Sequence, residues 1–174
     1  MDNLIDIART ALRASPARWN ELTTCFPREL LSRAPLPGEW SAVQCLQHLI
    51  DGERFVFPVR VKGFLAGQDI VDFDQETQGT KAVSTPAELA AEFAKLRKAN
   101  LKLLERVTPA DLDRESVHSA LGRVTLGEMI NEWVAHDLMH MVQAERAVMQ
   151  PFIADCGAWK RFFTDYDVEA RPNP

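Results

Sequence analysis

The chain has 174 residues, of which 46% are hydrophobic and 26% are charged, and its formal net charge at pH 7 is −5. This balance is typical of a globular domain and excludes an intrinsically disordered chain. The sequence has no lysine- and arginine-rich cluster of the kind that binds nucleic acid, and no apolar run of the roughly 18 residues that a transmembrane helix needs. We therefore expect no nucleic-acid partner and no membrane span.

The cysteines indicate a reducing compartment. Cys25, Cys45 and Cys156 are an odd number at wide spacing, which argues against a disulfide framework. No CxxC motif is present, so a zinc site built from thiolates is not expected. The first ten residues place acidic side chains before and among their apolar ones and lack the pattern of a signal peptide. We therefore expect a cytoplasmic protein.

The first 25 residues are predicted to be helical, because apolar residues recur at every third or fourth position. Ser15 followed by Pro16 is typical of an N-cap and a first helical residue, so we predict a break there, followed by a second short helix or a kinked continuation to Cys25. Residues 26–39 contain three prolines and a glycine and are predicted to form a loop.

A second helix is predicted at residues 41–66, with Ser41 as its N-cap and Gly67 at its end. Two apolar rows predict that it is buried on two sides. The second of these rows consists of Cys45, Gly52, Phe55 and Val59. The arc expected to face solvent consists of Gln44, Gln47, Asp51 and Arg54. Pro58 is expected to kink the helix.

Residues 68–83 are polar without a steady period and are predicted to form a long crossover loop of the kind that often acts as a lid or binding loop. A capping box at residues 85–88 starts a third helix, which is predicted to reach about Val107. Asn100 interrupts the apolar face of this helix. We interpret Asn100 as a residue that hydrogen-bonds across helices, with the lining of a polar cavity as the alternative.

The fourth helix is predicted at residues 125–149, from a second capping box at residues 125–128 to a stop before Pro151. Residues 116–124 before it are predicted to be irregular or hairpin-like. A short amphipathic helix follows it, whose aromatic face we expect to pack against the bundle or a partner subunit: Trp159, Phe162, Phe163 and Tyr166. These elements predict an all-α four-helix bundle in a single domain at residues 1–170, with a tail at residues 171–174.

Two histidines interrupt the apolar face of the fourth helix. His136 and His140 lie on the same face as Leu126, Met129, Ile130, Trp133, Ala144, Ala147 and Val148. A buried imidazole needs a hydrogen-bond partner or a metal, because an unpaired buried polar group costs roughly 1–3 kcal/mol. Side chains four residues apart on a helix can reach one ion, so the pair alone leaves both explanations open. The motif HDLMH lacks the glutamate that zincin proteases have after the first histidine.

A third histidine, His48, falls on the second helix. Three histidine ligands form a known open zinc site with a free position for water or substrate. His118 lies in a predicted connection and is interpreted as a surface residue. Cys45 lies close enough to His48 in sequence to approach the same ion, but we interpret it as a small buried hydrophobic residue.

Two segments of the chain resemble the DinB-like (DinB/YfiT) family. EWSAVQCLQHLIDGER, at residues 39–54, resembles the family segment W-S-x-x-E-x-x-x-H-x-x-D-x-E. GRVTLGEMINEWVAHDLMHMVQAERAV resembles the second family segment, T-x-x-E followed by H-x-x-x-H-x-x-Q. The resemblance covers most of the chain and implies a four-helix bundle in which His48, His136 and His140 hold a divalent metal. Gln44 departs from the family, which more often has glutamate there.

The resemblance also implies roles for neighbouring residues. Gln143 matches the family glutamine and is expected to bond a ligand histidine or substrate, or to be structural. Asp51 and Glu53 match acidic positions and are expected to orient an imidazole. The candidate catalytic residues are Glu53, Asp137 and Gln143. Zinc or nickel is the expected metal, with iron, manganese or copper as alternatives, because imidazole suits several of these ions.

The resemblance implies a metal-dependent transferase that activates a low-molecular-weight thiol, such as bacillithiol or mycothiol, as a metal-bound thiolate. One alternative is a metal-dependent hydrolase in which metal-bound water is the nucleophile and Glu53 or Asp137 is the base. A second alternative is a non-catalytic metal- or ligand-binding bundle. A small-molecule substrate is expected. The doubly buried second helix and the C-terminal aromatic face predict a homodimer.

Overall fold

A computed structural model describes residues 4–70 and 84–170, which form an all-α four-helix bundle, as predicted. Its α-helices are α1 (Leu4–Cys25), α2 (Arg28–Leu31), α3 (Ala42–Asp51), α4 (Phe57–Ala66), α5 (Pro86–Leu104) and α6 (Leu126–Asp155). A π-helical segment, Gly52–Val56, joins α3 to α4. The four sides of the bundle are α1, the α3–α4 pair, α5 and α6, and both α1 and α3 pack against α5 and α6.

Smaller elements connect and follow the long helices. Strands β1 (Glu115–His118) and β2 (Gly122–Thr125) form an antiparallel hairpin where the sequence predicts an irregular or hairpin-like connection. Short 3₁₀ helices lie at Pro109–Asp111 and Gly157–Phe162. Residues 71–83 of the predicted crossover loop and the predicted tail at 171–174 lie outside the described residues. No helix in the described ranges is long and apolar enough to cross a bilayer.

Three of the bundle helices begin at capping boxes, which satisfy backbone N–H groups that a helix start leaves unpaired. The cap side chain accepts from the backbone of the third helical residue, and that residue's side chain accepts from the cap N–H. The pairs are Ser41 with Gln44, Thr85 with Glu88, and Thr125 with Glu128. Gln44 therefore performs the capping at the position where the family more often has glutamate.

Helix α1 continues through Pro16, where the sequence predicts either a second helix or a continuation. Proline has no N–H, so it leaves the carbonyl oxygen four residues earlier, that of Leu12, without its helical donor. Nη1 of Arg97 donates to this oxygen at 2.8 Å, and the hydroxyl of Ser15 donates to it at 3.2 Å. Because a tertiary contact replaces the missing helical bond, the helix does not need to end.

Helix α6 also continues through a proline that was predicted to stop it. It extends beyond Pro151 to Asp155. Its last turn is packed, since Ile153 is buried and the ring of Phe152 contacts Phe26 at a centroid distance of 6.4 Å. Packing of the final turn offsets the hydrogen bond that Pro151 removes.

The irregularity in the second predicted helix lies one turn before Pro58, not at it. Pro58 occupies the first turn of α4, and the distortion is the π-helical segment Gly52–Val56. The N–H of Phe57 donates to the carbonyl of Gly52, five residues back. A π-helical turn is wider than an α-helical turn, so every residue after it is rotated relative to an uninterrupted α-helix.

The observed burial overturns part of the pattern predicted for this helix. Phe55 and Val59 were predicted to be buried, yet they are 44% and 47% exposed. Glu53 lies in the core instead, with 2% exposure. Asp51 was predicted to face solvent and is fully buried. The α3–α4 pair therefore does not have the two continuous apolar sides that the sequence predicts.

Most of the C-terminal aromatic face does not pack against the bundle. Trp159 is 68% exposed, Phe162 is 67% exposed and Tyr166 is 49% exposed, whereas Phe163 is half-buried. The expectation that the whole face covers the bundle is wrong. Contact of the exposed rings with a partner subunit stays a prediction.

The core consists of two apolar clusters separated by polar residues. One cluster includes Leu12, Phe57 and Trp133, and the other includes Trp19, Leu46 and Phe93. The polar residues between them come from all four sides of the bundle, and we call them the central polar layer: Ser15, Glu53, Arg97, Asn100 and Asp137. All five side chains are buried.

Candidate metal centre

Three histidines converge between α3 and α6. One ligand atom from each of His48, His136 and His140 lies within 4.8 Å of the others, and the Nε2 atoms of His48 and His136 are 3.0 Å apart. Two nitrogen ligands of a tetrahedral zinc ion lie about 3.3 Å apart, given zinc–nitrogen bonds of about 2.0–2.1 Å. The three side chains therefore fit a metal ion after small movements. The structure brings together the three residues that the family resemblance implies as ligands.

Two neighbours orient the ring of His140. Its Nδ1 is 2.9 Å from Oε1 of Gln143. Because an amide oxygen only accepts, Nδ1 carries the proton and Nε2 keeps the lone pair that a metal needs. Trp40 stacks on the same ring, with a centroid distance of 5.5 Å and an interplanar angle of 15°. The indole also lies 4.9 Å from the ring of His48, so it covers one side of the cluster.

Aromatic packing orients His136 on the other side. The ring of Phe57 meets His136 edge-on at 5.5 Å and stacks on Trp133 at 4.8 Å. A Cβ atom at Gly52 would lie 3.1 Å from the ring of Phe57, so glycine leaves room for this stack. Nδ1 of His136 is buried without a hydrogen-bond partner among the described residues.

The environment keeps two of the imidazoles neutral. Burial, followed by the neighbouring His140 and His48, lowers the pKa of His136 to about 3. Burial, followed by the neighbouring His48, also lowers the pKa of His140 to about 4. The hydrogen bond with Gln143 acts in the opposite direction and raises it. The neutral imidazole is the form that binds a metal.

The central polar layer lies directly beside the histidines, since Asp137 follows His136 in α6. Nη2 of Arg97 donates to Glu53 at 3.0 Å and to Asp137 at 2.7 Å. Glu53 also accepts from Nε1 of Trp133 at 2.8 Å and, through its other oxygen, from Asn100 at 3.0 Å. Asn100 thus bonds across helices, as the sequence predicts. Two candidate catalytic carboxylates, those of Glu53 and Asp137, are both held by Arg97.

A pocket of about 180 Å³ opens beside the cluster. Its lining consists of His48, Gly52, Val56, Phe57, Arg60, Glu132 and His136. Arg60 and Glu132 were not among the sequence candidates. The signal for Glu132 was its position one turn before His136 on the same helix face. The same spacing rule does not identify Arg60. The π-helical segment lies between His48 and Arg60 and changes the angle between these two residues about the helix axis.

The remaining candidates lie outside the cluster or serve another purpose. Cys45 is fully buried, and burial raises the pKa of its thiol to about 12. A thiol with that pKa stays protonated near neutral pH, which agrees with its interpretation as a small buried hydrophobic residue. His118 lies on β1, where its Nδ1 accepts from the N–H of Ala120.

The chain folds as a helical bundle in which three histidines converge. Its sequence matches the family model of the DinB superfamily over residues 11–144, more than half of the chain, and the protein belongs to that superfamily. A search among curated proteins gave no significant match.

A solved structure with a similar fold is that of YfiT from Bacillus subtilis, which is described as a probable metal-dependent hydrolase with an unusual four-helix bundle topology. The two chains are 21% identical, and the TM-score is 0.71. The match covers 82% of this chain and 85% of the YfiT chain. At this identity, the likeness establishes the shared fold.

Proposed function

We propose that this protein binds one divalent metal ion through His48, His136 and His140 and hydrolyses a small-molecule substrate. The observation that carries the proposal is the convergence of three imidazole nitrogens within 4.8 Å, beside a pocket that His48 and His136 line. Three protein ligands leave a further coordination position open, which is typical of catalytic sites. Zinc or nickel is the proposed ion, because three imidazoles suit both.

A divalent ion bound here would act as a Lewis acid and would lower the pKa of a coordinated water from about 15.7 to about 7. We assign the accompanying proton transfer to Glu132, which lines the same pocket as His136. Glu132 is exposed at the mouth of this pocket, and desolvation by the surrounding protein raises its pKa against the opposing effect of Arg60. Glu53 and Asp137 are positioning residues, because Arg97 holds both.

The description of YfiT as a probable metal-dependent hydrolase supports this reaction class. A second candidate is the transferase that uses a low-molecular-weight thiol. The pairing of Glu53 and Asp137 with Arg97 favours it, since a thiol is deprotonated by the metal that coordinates it and needs no protein base. A non-catalytic metal-binding bundle is the third candidate.

Elemental analysis of protein purified without affinity resin or added nickel tests the metal site. We expect about one divalent ion per chain. His48→Ala and His140→Ala should each lose it, because two remaining ligands rarely hold a metal tightly. His118→Ala, in the β-hairpin, is the matched control and should keep it. Full occupancy in His140→Ala would refute the site.

Substrate screens then separate the candidates. Hydrolysis of esters or amides that stops on chelation and returns with added metal supports the hydrolase. Glu132→Gln should lower this activity by about 10²–10⁴-fold at unchanged metal content. Activity that requires a thiol and a chlorodinitroarene supports the transferase instead. Inactivity of the metal-loaded protein in both screens favours the binding bundle.

A further inference from the structure

We propose that Arg60 binds the carboxylate of a small organic acid whose apolar body occupies a second chamber next to the metal centre. This inference deepens the proposed function and rests on it, since it names the substrate class of the same site. The guanidinium of Arg60 would be the specificity-determining anchor.

Two rows of residues form the walls of the site, each with a spacing of four. His48, Gly52, Val56 and Arg60 form one row, on the α3–α4 side. Glu128, Glu132 and His136 form the other, on α6. In a regular α-helix, residues four apart drift around the axis because a turn contains about 3.6 residues. The wider turn at Gly52–Val56 reduces this drift, so Arg60 stays on the same wall as His48.

The second chamber is continuous in its lining with the pocket beside the histidines. It has a volume of about 270 Å³, and the two spaces share Arg60 and Glu132. The other side chains that line it are mostly apolar: Ile70, Leu121, Val124 and Met129, with His118 and Glu128. Glu132 is one turn from His136, which is about 6 Å along the helix axis. A compact molecule anchored at Arg60 would therefore reach the open side of the histidine cluster.

Arg60 makes no hydrogen bond or ion pair among the described residues, although its charge acts on the nearby Glu132. Its Nε atom is buried and has no hydrogen-bond partner there. Arg97, in contrast, is paired with two carboxylates. Unpaired buried donors are unfavourable, and a planar carboxylate satisfies two guanidinium N–H groups at once. A ligand carboxylate would give the buried Nε–H of Arg60 an acceptor.

The surrounding charges favour a monoanion. Glu128 and Glu132 line the same chamber as Arg60, so a single guanidinium faces two acidic side chains. A phosphate monoester, with a charge near −2 at neutral pH, would meet more repulsion than a carboxylate does. The apolar lining then selects acids with a hydrocarbon or aromatic body over small hydrophilic acids.

Calorimetric titration with benzoate tests this proposal, on both the metal-loaded and the metal-free protein. Benzamide is the neutral analogue and phenyl phosphate is the dianionic one. Arg60→Gln should weaken benzoate binding by at least tenfold in both forms, and Arg60→Lys should retain part of it. Lys62→Gln, an exposed position on the same helix that lines neither chamber, is the control and should bind as the wild type does.

The outcomes separate this proposal from the metal site. Arg60-dependent benzoate binding, together with an elemental analysis that finds no metal uptake, would support the anchor while the metal proposal fails. Benzoate binding that needs the metal and is unchanged in Arg60→Gln would refute the anchor alone. Equal affinity for benzamide, tighter binding of phenyl phosphate, or no benzoate binding by the wild type up to its solubility limit would each overturn the assignment.

Discussion

Nη1 of Arg97 donates a 2.8 Å hydrogen bond to the carbonyl oxygen of Leu12, which Pro16 deprives of its helical donor. The other terminal nitrogen of the same guanidinium holds Glu53 and Asp137. A single side chain thus completes α1 and fixes two carboxylates beside the histidine cluster. The fold and the candidate metal centre depend on the same residue.

Replacement of Arg97 by methionine should destabilise the protein by about 3–5 kcal/mol, because it leaves two buried carboxylates without their counter-ion. It should also leave the Leu12 carbonyl without its strongest donor. Urea denaturation gives the free energy of unfolding. Arg18→Met is the control, since Arg18 pairs with Glu145 at the surface and should contribute no more than about 1 kcal/mol. A loss in Arg97→Met no larger than that of the control would contradict the prediction.

Replacement of Gln143 by leucine should lower metal affinity by about 10–100-fold, because the hydrogen bond to Nδ1 of His140 fixes the ring and its tautomer. Gln143→Glu keeps an acceptor oxygen and should preserve the affinity. Competition titration with a chromophoric chelator measures both. Equal affinities for the two variants would show that the bond does not support the ligand.

The metal-free protein should lose stability as the pH falls from about 6.5 towards 4 and 3. Burial, followed by the neighbouring positive groups, lowers the pKa of His136 to about 3 and that of His140 to about 4 from the usual 6.5. The unfolded chain therefore binds more protons than the folded chain in this window, and protonation favours unfolding. Melting temperatures across this range should fall less steeply in the His136→Gln/His140→Gln double variant. Identical slopes would argue against neutral histidines.

Cys45 should resist alkylation in the folded protein. Burial raises the pKa of its thiol to about 12, so almost no thiolate exists at about pH 8, where an ordinary thiol with a pKa of about 8.5 reacts readily. Cys25 is exposed and should react. Mass spectrometry after brief iodoacetamide treatment distinguishes the two sites, and both should react in denaturant. Rapid native modification of Cys45 would place a thiolate near the histidines.

The histidine positions could be read from the sequence because they interrupt a strong apolar pattern. Leu126, Ile130 and Trp133 are fully buried, as the 3.6-residue period predicts, and this places His136 and His140 towards the core. Two capping boxes and the N-cap Ser41 identified the starts of three helices for the same reason, since their signal is local. Features that depend on nearby residues were therefore predictable.

The polar layer and the pocket depend on contacts distant in sequence, and these were not predictable. Arg97 in a helix normally indicates a solvated face, and only its partners on other helices explain its burial. Pro16 normally indicates a helix break, and only Arg97 explains why α1 continues. The π-helical segment was not recognised in the sequence, so Phe55 and Val59 were predicted on a buried face and Arg60 was not identified as a site residue. The homodimer stays a prediction, which sedimentation velocity can check.

The central polar layer also determines how far each helix can slide along its neighbours. Apolar side chains in a bundle core tolerate alternative alignments, because one leucine replaces another at little cost. A shift of α5 by one turn, about 5.4 Å, would separate Arg97 from Glu53, Asp137 and the Leu12 oxygen together. Such a misaligned bundle would bury several unpaired charges. The layer therefore selects a single alignment of the four helices, and with it the one in which His48 faces His136 and His140.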